Sequence, residues 1–177
     1  LNNYLEIYKI PYIASSKSAL DNESDKNKAK KIIRLAKIKT ADFFTTYPNE
    51  HLNTKTNPIS FPLFIKPIKG GDSRGIGSNS IVHNFDSFKK KVLEIKKNHN
   101  LTSIAETYLT GREYSVGILE DSISGILRAL PVEIIVKKDI NGHSILDFNI
   151  KKNDEEKVIA VKDIKIFNKI SKLAKES

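Results

Sequence analysis

The chain has 177 residues, of which 39% are hydrophobic and 29% are charged. This length and composition predict a folded protein with one domain or two small subdomains, and its apolar runs are too short for a membrane-spanning helix. The absence of cysteine excludes disulfides, cysteine-ligated zinc and a thiol nucleophile.

Apolar periodicity and capping residues predict a chain that mixes helices and strands. The predicted helices cover residues 3–9, residues 25–37 with Ser24 as N-cap, a segment from Asn84 with Phe88, Val92 and Ile95 inward, and a segment from Asp163. The predicted strands cover residues 42–47, 61–66, 80–83, 103–107, 113–120, 124–136 and 144–150. A loop at 48–60 and a glycine-rich turn at 70–77 interrupt this pattern.

The formal net charge is +9, with 30 lysines and arginines against 21 acidic residues, and it indicates a polyanionic partner. Nucleic-acid-binding surfaces are typically rich in arginine and interleaved aromatic rings. Most of the positive charge here is lysine spread along helices, which is also typical of an ordinary solvated surface. The charge therefore does not favour nucleic acid as the partner, although a basic nucleic-acid-binding module stays open as an alternative.

A candidate phosphate site follows the predicted strand at 61–66. Lys66 ends this strand, and the next residues form a loop with four glycines and Ser73. A lysine ammonium beside free backbone N–H groups suits a phosphate, although glycines in a flexible hairpin tip would give the same pattern. The order of lysine and glycines differs from that of the nucleotide-binding P-loop and of the dinucleotide fingerprint.

A second candidate site lies around the turn that contains Gly111. Glu106 and Glu113 lie on predicted strands on either side of this turn, so they flank one hinge. Solvated carboxylates at strand ends are the alternative interpretation. The four histidines lack the spacing of metal ligands, and no serine–histidine–acid signature is present.

In this order and at this distance, the two sites resemble the ATP-grasp superfamily, specifically its D-alanine–D-alanine ligase-like branch. The resemblance implies an α+β fold in which two subdomains with antiparallel sheets hold a nucleotide between them. It assigns residues 1–22 to the last helix and linker of an N-terminal substrate domain. Residues 23–109 become the central subdomain with the glycine loop, and residues 110–177 become the first part of the C-terminal subdomain.

The resemblance also implies which residues contact the phosphates of ATP. That set is Lys26, Lys66, Gly71, Ser73, Gly75 and Lys151. Lys66 is similar to the family lysine that contacts the α and β phosphates, and Ser73 to the serine of the mobile loop. Lys151 resembles the lysine of a second closing loop at the terminal phosphates. Lys66, Ser73 and Lys151 are therefore the expected catalytic residues.

At the nucleoside end, the resemblance assigns three residues. Glu106 is similar to the acid that faces the adenine amino group, and Leu109 to the residue whose backbone meets the adenine ring. Glu113 is similar to the acid that holds the ribose. Two departures from the family, Asp72 before Ser73 and Lys152 after Lys151, predict a salt bridge between the two closing loops, with unrelated surface charges as the alternative.

For the whole protein, the resemblance implies a cytoplasmic, ATP-dependent ligase that forms a C–N bond through an acyl phosphate. ATP, Mg²⁺ and amino acids are the expected ligands, with peptidoglycan precursor synthesis as the context, no membrane contact, and a homodimer allowed. The family's magnesium ligands and catalytic arginine are expected downstream of this chain, which therefore contains no expected metal ligand and is expected to be inactive alone. A ligase for another amino acid or peptide is the alternative within the enzyme class.

Overall fold

The computed structural model describes residues 2–13, 15–51, 53–121, 123–139 and 142–177. Its helices are α1 (Asn2–Ile7), α2 (Lys17–Ser24), α3 (Lys26–Leu35), α4 (Phe85–His99), α5 (Phe148–Asn153) and α6 (Ile164–Glu176). Its strands are β1 (Phe43–Thr46), β2 (Leu63–Pro67), β3 (Ile81–Val82), β4 (Ser103–Thr107), β5 (Glu113–Glu120), β6 (Leu127–Ile135) and β7 (Lys157–Ala160).

The first sheet has the strand order β1-β4-β2-β3, and all its pairings are antiparallel. Helix α4 packs against it and buries Phe88, Val92 and Ile95, as their spacing of three to four residues predicts. These side chains form one core with Leu63 and Ile65 of β2. The inner face of α4 therefore holds β2 and β4 in fixed register, which positions the side chains at the strand ends.

The second sheet has the order β5-β6-β7, again antiparallel, and α6 packs against β5 and β6. Residues 108–112 join β4 of the first sheet to β5 of the second and are called the hinge here. The whole arrangement is an α+β fold built from two antiparallel sheets.

The structure corrects the predicted start of α3. Ser24 is the last residue of α2, and Asp25 caps α3 by accepting hydrogen bonds from the backbone N–H groups of Asn27 and Lys28. Serine and aspartate are comparable N-cap residues, so their adjacency left the cap ambiguous by one position. Helix α2 was not predicted, because it buries no side chain and has no apolar periodicity.

The predicted strand at 144–150 is wrong: residues 144–147 form no strand, and residues 148–150 belong to α5. The side chain of Asp147 accepts a hydrogen bond from the N–H of Ile150 and caps α5, which continues to Asn153. Strand β7 was not predicted either. Its four residues are all exposed at the edge of the second sheet, and pairing with β6 rather than burial defines it.

Candidate nucleotide site

A cavity of about 710 Å³ lies at the hinge between the two sheets. Its lining comes from the hinge, the end of β6 and the loop that follows β6. This volume is within the range of small-molecule and cofactor sites. Leu109 and Glu113 both line the cavity, with Leu109 67% exposed on the hinge and Glu113 at the start of β5.

Glu106 lies outside this lining and belongs to a group of charges at the end of the first sheet. Its carboxylate is buried, with 8% of the residue exposed. The Nζ of Lys66 lies 3.0 Å from its Oε1, and the Nζ of Lys30 lies 3.6 Å from the same oxygen. Lys26 is also close enough to interact electrostatically with Lys66 and Glu106. We call Lys26, Lys30 and Lys66 the lysine cluster.

Burial changes the titration of two members of the lysine cluster, Lys26 and Lys30. It lowers the pKa of Lys26, and the positive charge of Lys66 lowers it further. Burial is also the main cause of the lowered pKa of Lys30, and attraction to Glu106 offsets only part of this effect. Three ammonium groups that interact with a single carboxylate therefore leave positive charge that an anion would neutralise.

The glycine loop, residues 70–77, is tied to the start of α3. The backbone N–H of Lys26 donates to the carbonyl of Ile68 at 3.0 Å, and its Nζ donates to the carbonyl of Gly70 at 2.7 Å. The N-terminus of α3, with its positive dipole end, thus lies beside the loop. Sequence analysis placed Lys26, Lys66 and this loop in one phosphate site, and the structure brings them together.

Two glycines of this loop differ in what the fold requires of them. Gly75 has φ +75°, and a Cβ added there would lie 2.7 Å from Cγ of Pro67. Gly71 has open space around the same position. The backbone conformation and close packing at residue 75 therefore require glycine, whereas nothing in the folded chain requires it at residue 71.

Ser73 joins the glycine loop to the segment before α5. Its hydroxyl donates to the carbonyl of Leu146 at 2.9 Å. The hydroxyl that was expected to bind phosphate is therefore bonded to a backbone oxygen in this structure. Lys151 is exposed on α5, just beyond that segment. The predicted salt bridge between Asp72 and Lys152 is not formed, and the two loops meet through Ser73 instead.

Sequence reasoning missed several residues of this region. Arg112 forms a bidentate ion pair with Glu133 across β5 and β6 at the cavity wall, which raises the pKa of Arg112 and lowers that of Glu133. Tyr108 and His143 also line the cavity. The pairing of β5 with β6 determines the ion pair of Arg112 with Glu133. Lys30 was also missed, because its only sequence signal was its position one helical turn after Lys26.

Within the described ranges, no group of three or more histidine, aspartate or glutamate side chains could hold a metal ion. No residue in these ranges is assigned here as a metal ligand. In the same ranges, no helix is long and apolar enough to cross a membrane.

Comparison with known proteins connects this geometry to a family. A family model described as the D-ala D-ala ligase C-terminus matches residues 22–177. D-alanine–D-alanine ligase of Leptospira interrogans is 32% identical over 159 residues, which cover 85% of this chain and 43% of that protein. The enzyme of the same name from Aquifex aeolicus is 35% identical over 138 residues, which cover 77% of this chain and 43% of that protein.

Solved structures show the same fold. D-alanine–D-alanine ligase from Bacillus anthracis is 26% identical with a TM-score of 0.68, and the match covers 98% of this chain and 53% of that one. VanG D-Ala:D-Ser ligase from Enterococcus faecalis is 20% identical with a TM-score of 0.74, over 99% of this chain and 50% of that one. The chain spans less than half the length of the two curated relatives, 43% in each case. It belongs to the D-alanine–D-alanine ligase C-terminal family and has the ATP-grasp fold.

Proposed function

We propose that this chain is the ATP-binding portion of an ATP-dependent ligase of the D-alanine–D-alanine type. The lysine cluster is the observation that carries the proposal. It places two ammonium groups within 4 Å of one buried carboxylate and a third, that of Lys26, near enough to interact with both charges, beside a glycine loop and a helix N-terminus. The surplus positive charge is unfavourable in a half-buried site, and a polyphosphate would neutralise it.

At the phosphate end, Lys26 and Lys66 bind the phosphates as point charges, and backbone N–H groups around Gly71 and Gly75 surround the terminal phosphates. Ser73 exchanges the carbonyl of Leu146 for a phosphate oxygen when the nucleotide binds. Lys151 approaches from α5, because the contact of Ser73 with Leu146 places the segment before α5 beside the glycine loop before the nucleotide binds. Lys66, Ser73 and Lys151 stabilise charge on the transferred phosphoryl group.

At the nucleoside end, the cavity takes the adenine and ribose. The backbone of Leu109 contacts the adenine ring, and the carboxylate of Glu113 accepts hydrogen bonds from the ribose hydroxyls. Glu106 faces the adenine amino group while it pairs with Lys66. One carboxylate thus connects the base end of the site to its phosphate end.

The proposed reaction of the whole protein has two steps. The γ-phosphoryl group of ATP passes to a carboxylate oxygen of one D-alanine, giving an acyl phosphate and ADP. The amino nitrogen of a second D-alanine then attacks the acyl carbon, inorganic phosphate leaves, and the nitrogen loses a proton. The product is a dipeptide for peptidoglycan synthesis, made in the cytoplasm, where ATP is available. Mg²⁺ accompanies the nucleotide, with its ligands outside the described residues, and the whole protein can form a homodimer.

The experiment is ADP release by the whole protein that contains this chain, measured with D-alanine and with a panel of other D- and L-amino acids. We expect D-alanine to give the highest rate, and Lys66→Met to lower that rate by about 100-fold. Lys165→Ala, an exposed lysine of α6, is the matched control and should retain the wild-type rate. A folded protein that releases no ADP with any amino acid would contradict the proposed activity.

A further inference from the structure

Three aromatic side chains connect the two sheets at the cavity. His83 follows β3 of the first sheet, Tyr108 lies on the hinge, and His143 lies in the loop after β6. The imidazoles of His83 and His143 are stacked, with centroids 5.4 Å apart and an interplanar angle of 27°. The ring of Tyr108 meets His143 edge-on at 5.4 Å and 88°. We call these residues the ring cluster.

The position of His143 is fixed from several directions. Its backbone N–H donates to a carboxylate oxygen of Asp139 at 2.9 Å, and its carbonyl accepts from the N–H of Asp139 at 2.8 Å. Its Nδ1 lies 3.8 Å from the second carboxylate oxygen of Asp139. With His83 against its ring, His143 is held in the cavity wall at 17% side-chain exposure.

The cavity wall around Tyr108 and His143 is suited to a flat ring system. Leu109, Ile134 and Val136 contribute apolar surface, and Tyr108 and His143 contribute aromatic rings. Nucleobases pack favourably against aromatic and apolar side chains. His83 does not line the cavity, so it can influence a ligand there only through His143.

We propose that His143 contacts the nucleobase and that His83 is a positioning residue, which holds His143 in the cavity wall by stacking from the first sheet. This inference rests on the proposed function, because it takes ATP as the ligand. It assigns base binding in part to a contact between the two sheets. A change at His83 should therefore alter affinity for the base without affecting affinity for the phosphates.

Calorimetric titrations with ATP, adenosine and inorganic tripolyphosphate test this assignment. We expect His143→Ala to weaken the binding of ATP and of adenosine by the same factor, about 10-fold, and to leave the binding of tripolyphosphate unchanged. His83→Ala should weaken adenosine by a smaller factor and should add nothing in the His143→Ala background. His83→Phe, which keeps a ring for stacking, should restore the affinity.

Thermal unfolding of each variant separates this role from general destabilisation, and His143→Asn is the second variant if His143→Ala does not fold. Wild-type affinity for adenosine in the His143 variants would overturn the inference and leave the proposed function intact. Additive losses from His83→Ala and His143→Ala would overturn the positioning role of His83. A folded wild-type chain that binds no ATP would overturn both the inference and the proposed function.

Discussion

Glu106 is the buried carboxylate that the lysine cluster surrounds, and its surroundings explain why one residue can matter to both stability and binding. Its Oε1 lies within 4 Å of the ammonium groups of Lys30 and Lys66, and 8% of the residue is exposed. In such a site, water screens the charges only weakly, so removing the carboxylate leaves like charges in contact.

Replacing this carboxylate should therefore destabilise the chain. We expect Glu106→Gln to lower the free energy of unfolding by about 3 kcal/mol, because it leaves two partly buried ammonium groups without an acidic partner. Chemical denaturation measures the loss, and tripolyphosphate should restore more stability to this variant than to the wild type. Glu120→Gln, at an exposed position of β5, is the control. Equal stability of the two variants would contradict the account.

The lowered pKa values of Lys26 and Lys30 predict that nucleotide binding takes up protons. Burial lowers both values, and a bound polyphosphate should raise them, so a lysine that is partly neutral in the free chain gains a proton on binding. ATP affinity should then fall as pH rises through the lowered pKa values of these two lysines.

Calorimetry in two buffers of different ionisation enthalpy measures this proton uptake directly. Lys30→Met should reduce the number of protons that the chain takes up when ATP binds. Identical heats in both buffers across the alkaline range would show that Lys26 and Lys30 take up no proton when ATP binds.

Gly75 and Gly71 form a matched pair for testing the glycine loop. Gly75→Ala should lower the free energy of unfolding by about 1–3 kcal/mol, because alanine is strained at φ +75° and its Cβ meets Pro67. Gly71→Ala should have little effect on stability, since the space there is open. Thermal unfolding checks both variants, and equal losses would mean that residue 75 is not the constrained position.

Among the secondary-structure elements, those with an apolar period in their sequence were predictable, whereas α2 and β7 were not. The spacing of Phe88, Val92 and Ile95 predicts the inner face of α4, and the structure confirms this prediction. Helix α2 and strand β7 bury none of their residues, and their sequences have no hydrophobic period to detect. Helix α5 begins at its cap, Asp147. The apolar residues around Asp147 have the pattern of a strand, and this pattern led to the wrong prediction.

The cap of α5 gives a prediction for the element that carries Lys151. Asp147→Ala removes the hydrogen bond to the N–H of Ile150 and should cost about 1 kcal/mol in local helix stability. If α5 positions Lys151 at the phosphates, ATP should bind more weakly while adenosine is unaffected. Asp163→Ala, which removes the equivalent cap of α6, should leave ATP affinity unchanged. The two variants are compared by calorimetry, and loss of adenosine binding in Asp147→Ala would contradict this role.

At the scale of the whole molecule, sequence order predicted the proximity of Lys26, Lys66 and the glycine loop, but not the contact between His83 and His143. Lys26, Lys66 and the glycine loop lie near one another because the end of β2 leads into the loop and the start of α3 is bound to it. The contact between His83 and His143 depends on how the two sheets face each other. Local periodicity carries no information about such a contact.

The same contrast applies to charges. The pair of Arg112 and Glu133 forms because β5 and β6 are antiparallel and place Tyr114 opposite Glu133. That register follows from the complete hairpin rather than from either residue alone. The predicted pairing of Asp72 with Lys152 did not rest on a comparable strand register. In the structure, Ser73 makes the contact between the loops instead.

Calorimetric titration of the folded 177-residue chain with ATP, adenosine and tripolyphosphate tests the central claim most directly. The account predicts that ATP binds more tightly than either of its parts. Lys66→Met should weaken ATP and tripolyphosphate by about 10-fold or more and leave adenosine unchanged, because the lost contact is with phosphate. A folded chain that binds none of these ligands, or a Lys66→Met variant that loses adenosine and ATP equally, would contradict the claim.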